Sequence, residues 1–416
     1  MKFDRYHISP EIKRNLARLG FKRPTDIQFK AIPSILNGED VLAIAQTGSG
    51  KTAAFAIPVI DKIHRFKSSK HSYGIKCIVM APTRELAMQI GDVFSALAAH
   101  TRVQVFTLHG GVEQDRQVAR LQDGIDVLIA TPGRIFDLIN QQHIRLAGVS
   151  TLVLDEADHM LDLGFIEDIR YIKKMLRHRH QTLFFSATIN DEIRKLAYSQ
   201  VKSAAIRIQV SPKDRISKNI SHYVMFVEQD DKRFFLQRFL QEHPEGKAIV
   251  FVRTRVRAER VVRALARVGI DAVSIHGDKD QGERCAAMQS FRAGEQRILI
   301  ATDVSARGID VPDVAWVINY DLPEKPENYV HRVGRTGRGD NRGEAYSFCS
   351  PEERPLLEAI EAFIGRPVVE IGIGKKTYAD IAATPQSLDA LVAEHEAWLN
   401  GAGRKRKKRT KKQRQG

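Results

Sequence analysis

An apolar run at residues 41–45 passes straight into AQTGSGKT (residues 45–52), and a helical pattern begins behind it. Few features constrain a fold as tightly. Glycines at positions 48 and 50 let the backbone curl until successive N–H groups face one point, and the following helix adds the positive end of its dipole. Such a loop needs a buried strand in front and a helix behind, which is the βα unit of an open α/β sheet. Its chemistry is phosphate binding: Lys51 can reach the β- and γ-phosphates of a nucleotide, and Thr52 can hold Mg2+. The strict pattern begins with glycine and this one with Ala45. Alone, the loop indicates nucleotide binding and nothing narrower.

Further short apolar runs end in polar motifs. They lie at 77–80, 103–108, 127–130, 151–154 and 182–185 in the first half, and at 248–252, 272–275, 297–301, 314–319 and 344–349 in the second. Helical stretches separate them, such as 83–98, 257–268 and 282–291. Strands alternating with helices imply parallel sheets covered on both faces. The pattern occurs twice, so the expected architecture is two tandem α/β domains, each a mostly parallel sheet flanked by helices. We place them at residues 1–208 and 221–372, with a linker at 209–220 around a Ser-Pro step. Residues 373–416 form an extension in which 387–400 has a helical apolar stripe interrupted by His395. In open α/β sheets ligands bind beyond the carboxyl ends of the strands, which is where nearly every run meets a Gly-, Thr-, Asp- or Arg-bearing motif.

Charge adds a partner class. The formal net charge is +15, and nine of the basic residues lie in RKRKKRTKKQR at 404–414. A polycationic tail on a mildly basic body suits a polyanion, because neutralising phosphates releases counterions. A solvated tail without a target is the plainer alternative. The three cysteines, Cys77, Cys285 and Cys349, form no pair or metal-ligand cluster, which fits reduced thiols in a cytoplasmic protein. No apolar run is long enough to span a membrane.

A second catalytic signal is TLVLDEAD, residues 151–158. An apolar strand ends in Asp155, placed to coordinate Mg2+ through water, and Glu156 can orient and deprotonate a water aimed at the γ-phosphate. A helix start capped by Asp is the alternative for an isolated acidic cluster. In HRVGRTGR, residues 331–338, Arg335 and Arg338 are three apart and share one face if helical. Arginines brought in from a second domain can neutralise charge on a transferred phosphoryl group.

In combination these motifs resemble DEAD-box RNA helicases over residues 3–367, and the core most resembles the bacterial RhlE-type branch. GFKRPTDIQ (20–28) is similar to the Q motif, 45–52 to motif I and PTRELA (82–87) to motif Ia. Gly110-Gly111 and TPGR (131–134) are similar to the next RNA-facing motifs, and SAT stands at 186–188. IVFVRT (249–254), HGDKDQGER (276–284), ATDVSARGIDVP (301–312) and HRVGRTGR follow in the family's order. Departures are modest: Asp26 stands where proline is common, His159 where arginine is frequent after the acidic motif, and Val333 for isoleucine.

The resemblance implies RecA-like domains, ATP and Mg2+, and a role for each matching position. Gln28 would read adenine, Phe3 would stack on the base, and Lys22 and Arg23 would lie beside the nucleotide. Ala45, Gln46, Thr47, Gly48, Ser49, Gly50, Lys51 and Thr52 would wrap the phosphates, and Gly308 and Asp310 would reach the ribose side. Lys51, Asp155, Glu156, Arg335 and Arg338 would be catalytic. Asp158, Ser186, Thr188 and His331 would couple the nucleotide to domain closure. RNA contacts are implied for Thr83, Arg84, Gly111, Thr131 and Arg134, and for Arg253, Gly277, Gln281, Arg284 and Thr302. Short polar side chains, glycine amides and arginines suit phosphates and 2′-hydroxyls, so little sequence preference is expected. The expected activity is ATP-dependent, local opening of short RNA duplexes by a monomer. An ATP-gated RNA clamp and a DNA translocase stay open as alternatives, and ribosomal or mRNA-decay complexes as partners.

Overall fold

The computed structural model describes residues 2–45, 48–69, 74–111, 113–176, 178–202, 204–210, 216, 219–306, 311–337, 342–374, 378 and 381. The helix expected at 387–400 and the basic run at 404–414 lie outside them. The chain divides into two compact units, one built mainly from residues 1–213 and the other from 214–416.

The first unit holds a seven-stranded sheet: β1 (Val41–Ala45), β2 (Cys77–Met80), β3 (Val105–Leu108), β4 (Val127–Ala130), β5 (Thr151–Leu154), β6 (Gln181–Ser186) and β7 (Ile206–Val210). Their order across the sheet is β3-β4-β2-β5-β6-β1-β7, and the recorded pairings are parallel. The second unit repeats this with β8 (Ile220–Phe226), β9 (Lys247–Phe251), β10 (Val273–Ile275), β11 (Ile298–Ala301), β12 (Val314–Asn319), β13 (Gly343–Cys349) and β14 (Val369–Glu370). The order β10-β11-β9-β12-β13-β8-β14 is the first order offset by seven strands, so the repeat seen in the apolar runs is a repeat of topology. The first sheet runs to Val210 and the second starts at Ile220, each reaching into the stretch read as a linker.

Residues of the first sheet alternate between two cores. Val41, Ala43, Val79, Ile129, Val153 and Phe185 join one cluster, while Leu42, Ile44, Met80, Leu128, Leu154 and Phe184 join the other. Period-two side chains with both faces covered leave few polar positions inside the central strands, while the edge strand β7 keeps exposed Arg207 and Gln209. That is why these runs read as continuous apolar blocks, and why polar chemistry concentrates where a strand ends.

The structure corrects one detail of the sequence reading. The helix carrying the HRVGR segment is Pro326–Val333, capped at Gly334. Arg335 lies in the turn beyond it, so it does not share a helical face with a residue three further on, and Arg338 itself lies outside the described residues.

Candidate functional site

Strand order brings the nucleotide motifs together. The loop after β1, the acidic motif after β5 and the SAT segment at the end of β6 occupy adjacent strands of the order β5-β6-β1, although far apart in sequence. Ala45 is still a strand residue, paired with Val210, so it does not need the freedom of glycine. Gly50 does. Its φ is +87°, and it precedes the helix Lys51–Phe66. An added Cβ would sit 2.5 Å from Gln28 Nε2. That amide is already engaged: Nε2 donates to the Gly50 carbonyl at 3.1 Å, and Oε1 accepts from Thr25 N at 3.0 Å, within the capping box that starts the helix Asp26–Leu36. Gln28, expected as a base reader, thus also ties its own helix to the phosphate loop. Gly50→Ala is expected to raise the KM for ATP at least tenfold and to cost about 1–2 kcal/mol of stability, from left-handed strain plus the clash. Nucleotide titration and thermal melts check this; wild-type values in both would show that the loop tolerates a side chain.

Lys51 is 6% exposed, and its Nζ has no hydrogen-bond partner among the described residues. A buried ammonium in that state is costly, and phosphate oxygens would satisfy it. Asp155 is 2% exposed. Burial pushes its carboxyl up to about 6, against the pull of the Lys51 charge, with Glu156 adding to the rise. An anion held at a desolvation cost suits a cation. Thr52, half-buried on the first turn of its helix, offers a hydroxyl. No group of three or more His, Cys, Asp or Glu able to hold a metal occurs among the described residues. A site of one or two protein oxygens, completed by phosphates and water, is how Mg2+ is usually held beside a nucleotide. The residues therefore fit both ATP and Mg2+.

Glu156 is buried with φ +47° and ψ +51°, a left-handed conformation that is strained for this residue type. Its Oε2 lies 3.7 Å from Nδ1 of buried His159. Asp158 faces the end of β6: its Oδ2 accepts from both the backbone N and the Oγ1 of Thr188, each at 2.9 Å, and Ser186 Oγ donates to the Thr188 carbonyl at 2.8 Å. Three of the four expected coupling residues thus form one network. The fourth, His331, belongs to the second unit, where its carbonyl accepts from Arg335 Nε at 3.0 Å. Phe3 is buried against Tyr6 and Phe21, while Lys22 and Arg23 are exposed. Gln46, Thr47, Gly308 and Asp310 lie outside the described residues.

The strands β3-β4-β2 carry the other motif set of the first unit. Thr83 caps the helix Arg84–Ala98 by accepting from Leu86 N. The Arg84 guanidinium lies so close to Gly110 that an added Cβ would sit 2.7 Å from its Nη2. Gly111 is exposed. Thr131 precedes the helix Pro132–Asn140, and Arg134 on its first turn is held by Gln117 and Gln114.

The corresponding edge of the second unit, β10-β11-β9, is followed by exposed Gly277, buried Thr302 and exposed Arg253. Thr302 Oγ1 meets Ser305 Oγ at 2.8 Å. Arg253 Nη2 donates to Glu353 at 2.9 Å, and its backbone N donates to Asp321. Arg284 is half-buried on the helix Gln281–Ala293; the side chain of Gln281 lies outside the described residues. The sequence reading passed over Arg332 and Asp303. Arg332 is buried and makes a two-point ion pair with Asp303, adding bonds to Asn319 Oδ1 and the Asp321 carbonyl. A signal was present: Tyr329, Arg332 and Val333 stand at i, i+3 and i+4, an inward stripe that contains an arginine.

Fold and site together define a nucleotide-binding protein of two RecA-like domains with its phosphate loop in the first. The family described as DEAD/DEAH box helicase matches residues 25–196, and the helicase conserved C-terminal domain matches 231–340. The chain is 42% identical over 359 residues to the DEAD-box ATP-dependent RNA helicase CshA of Geobacillus kaustophilus, covering 86% of this chain and 76% of that one. It is 41% identical over 354 residues to the CshA of Bacillus cereus, covering 85% of this chain and 66% of that one, so it spans slightly under two thirds of that relative's length. Among solved structures it is similar to S. cerevisiae Dbp5 bound to RNA and ADP BeF3, with a TM-score of 0.81, 30% identity, and coverage of 91% of this chain and 98% of that one. The helicase Mss116 bound to ssRNA and UDP-BeF gives a TM-score of 0.81 at 28% identity, covering 92% and 82%. The chain belongs to the DEAD-box family of ATP-dependent RNA helicases.

Proposed function

We propose that this chain is an RNA-stimulated ATPase that grips RNA through its backbone and opens short duplexes locally. The observation that carries the reading is the sorting of motifs along each sheet edge. In the first unit, phosphate-loop chemistry gathers on β5-β6-β1, and the arginine, threonine and glycine motifs gather on the adjoining strands β3-β4-β2. Dbp5 and Mss116, similar in fold, are described as bound to RNA together with nucleotide analogues.

In this reading Lys51, Thr52 and the loop amides hold the ATP phosphates, and Gln28 and Phe3 serve the base. Asp155 and Thr52 would hold Mg2+, which would neutralise phosphate charge. Glu156 takes the proton of the attacking water. Arg335 and Arg338 neutralise charge developing on the γ-phosphoryl group, which ties hydrolysis to closure of the two units. Thr83, Arg84, Gly111, Thr131, Arg134, Arg253, Gly277, Gln281, Arg284 and Thr302 contact RNA. The Asp158–Thr188–Ser186 network carries nucleotide state toward closure, with His331 on the second unit. No helix among the described residues is long and apolar enough to cross a membrane. A cytoplasmic location and a monomeric state are separate parts of this proposal. The RhlE-like placement is part of this proposal; the relatives reported above bear the name CshA.

Steady-state ATP hydrolysis with RNA, and with DNA of the same sequence, tests the reading. At least tenfold stimulation by RNA and little by DNA is expected. Equal stimulation by both would favour a DNA-translocating enzyme, and indifference to both would reject a nucleic-acid-dependent ATPase.

A further inference from the structure

The helix Gln114–Gln122 lies between two RNA-facing motifs and belongs to neither. Two of its side chains, three residues apart and so on one face, reach the same arginine. Gln117 Oε1 accepts from Arg134 Nε at 3.0 Å, and Gln114 Oε1 accepts from Arg134 Nη1 at 3.2 Å. Each glutamine is itself anchored. Gln117, 4% exposed, donates from Nε2 to the His109 carbonyl at 2.9 Å, immediately before the Gly110-Gly111 turn. Gln114 donates from Nε2 to Gln141 Oε1 at 2.6 Å, beyond the end of the Arg134 helix. The guanidinium is therefore gripped at two points, and the grip fixes the turn after β3 relative to the helix after β4.

The chemistry of the acceptors matters as much as their geometry. A carboxylate in the same place would orient the guanidinium equally well and also add a negative charge beside it. An amide oxygen orients without adding charge. We propose that Gln114 and Gln117 are positioning residues that hold Arg134 at a fixed distance from the Gly110-Gly111 turn, and that their amide oxygens orient it toward a phosphate of the bound strand without adding negative charge of their own. This rests on the RNA-binding reading above.

The test compares equilibrium binding of a fluorescent single-stranded RNA, across a salt series, for the full chain and three variants. Arg134→Ala sets the scale: about a tenfold loss of affinity, and a salt slope shallower by about 0.7, the share of one single-strand phosphate contact. Gln114→Glu, at a half-buried position where folding is not at risk, is expected to weaken binding about fivefold and to flatten the slope nearly as much, with the KM for ATP without RNA unchanged. Gln117→Leu keeps the charge but removes one of the two glutamine bonds to the guanidinium, and is expected to weaken binding with a smaller change in slope. If Arg134→Ala flattens the slope and Gln114→Glu leaves both affinity and slope at wild type, the positioning inference is overturned while the RNA-binding reading stands. If Arg134→Ala itself changes nothing, the assignment of this edge to RNA fails, and the inference fails with it.

Discussion

Replacing Glu156 with Gln is expected to lower ATP turnover by about 10²–10⁴-fold, the usual contribution of a positioned general base, while the KM for ATP stays within about threefold. The substitution keeps the size of the side chain and one acceptor oxygen, but a neutral amide cannot take a proton from water. The backbone supports this separation of effects. Glu156 sits in a left-handed conformation directly after Asp155, with its N–H donated to Asp155 Oδ1 at 3.0 Å. In the proposed mechanism the Asp155 carboxylate serves the cation and the Glu156 carboxylate serves the water. Steady-state kinetics with saturating RNA measure the effect. Turnover within tenfold of wild type would remove Glu156 from the mechanism.

Asp155→Asn is expected to abolish turnover and, in the absence of a divalent cation, to stabilise the first unit. The sign comes from the direction of the shift. Burial raises the carboxyl from 3.8 to about 6, so the folded protein binds this proton more tightly than the unfolded chain does. Between about pH 4 and 6 the cation-free fold then loses stability as pH rises, and above pH 6 it carries the full cost, on the order of 2–3 kcal/mol for a shift of about two units. Asparagine has no proton to lose and removes that dependence. In EDTA at pH 7.5 the variant should melt several degrees higher, at roughly 2–4 °C per kcal/mol for a domain of this size. Melts of both proteins from pH 4 to 7.5 check it. A variant that melts lower at pH 7.5, or a wild type whose stability rises across that window, would contradict the assignment of a desolvated, cation-seeking carboxylate.

Much of the fold was legible in the sequence because its signals are local. Strands buried on both faces read as short apolar blocks, and a strand-to-helix phosphate loop has few alternative conformations. For eleven of the fourteen described strands the bounds fall within two residues of an apolar run, as at Val105–Leu108 against 103–108, whereas β7, β8 and β14 have no such run. The helical premise for Arg335 was less secure, because a helix end depends on capping and on how the next segment packs. Here Gly334 closes the helix. Arg332 was missed because attention to a motif favours the arginines expected to face a ligand, whereas this one is spent on Asp303 inside the unit. Gln114 and Gln117 carry no motif signal. A glutamine on a helix is an ordinary surface residue until its neighbours are known.

The sequence by itself determined the class of chemistry, the two-fold repeat of α/β units and the order of motifs, since turn residues, periodicity and local charge specify these within a few positions. Only the tertiary structure decided which motifs are neighbours. In the first unit the order β3-β4-β2-β5-β6-β1-β7 sets the phosphate-loop and acidic motifs beside the arginine, threonine and glycine motifs, and the second unit repeats that strand order. Only the structure showed that Lys51 is buried without a hydrogen-bond partner among the described residues, and that two glutamines hold Arg134. The physical reason is that an apolar block states that a strand must be covered, but not by which element. Its neighbours are chosen by packing and pairing across tens to hundreds of residues, and the polar groups at its end inherit their partners from that choice.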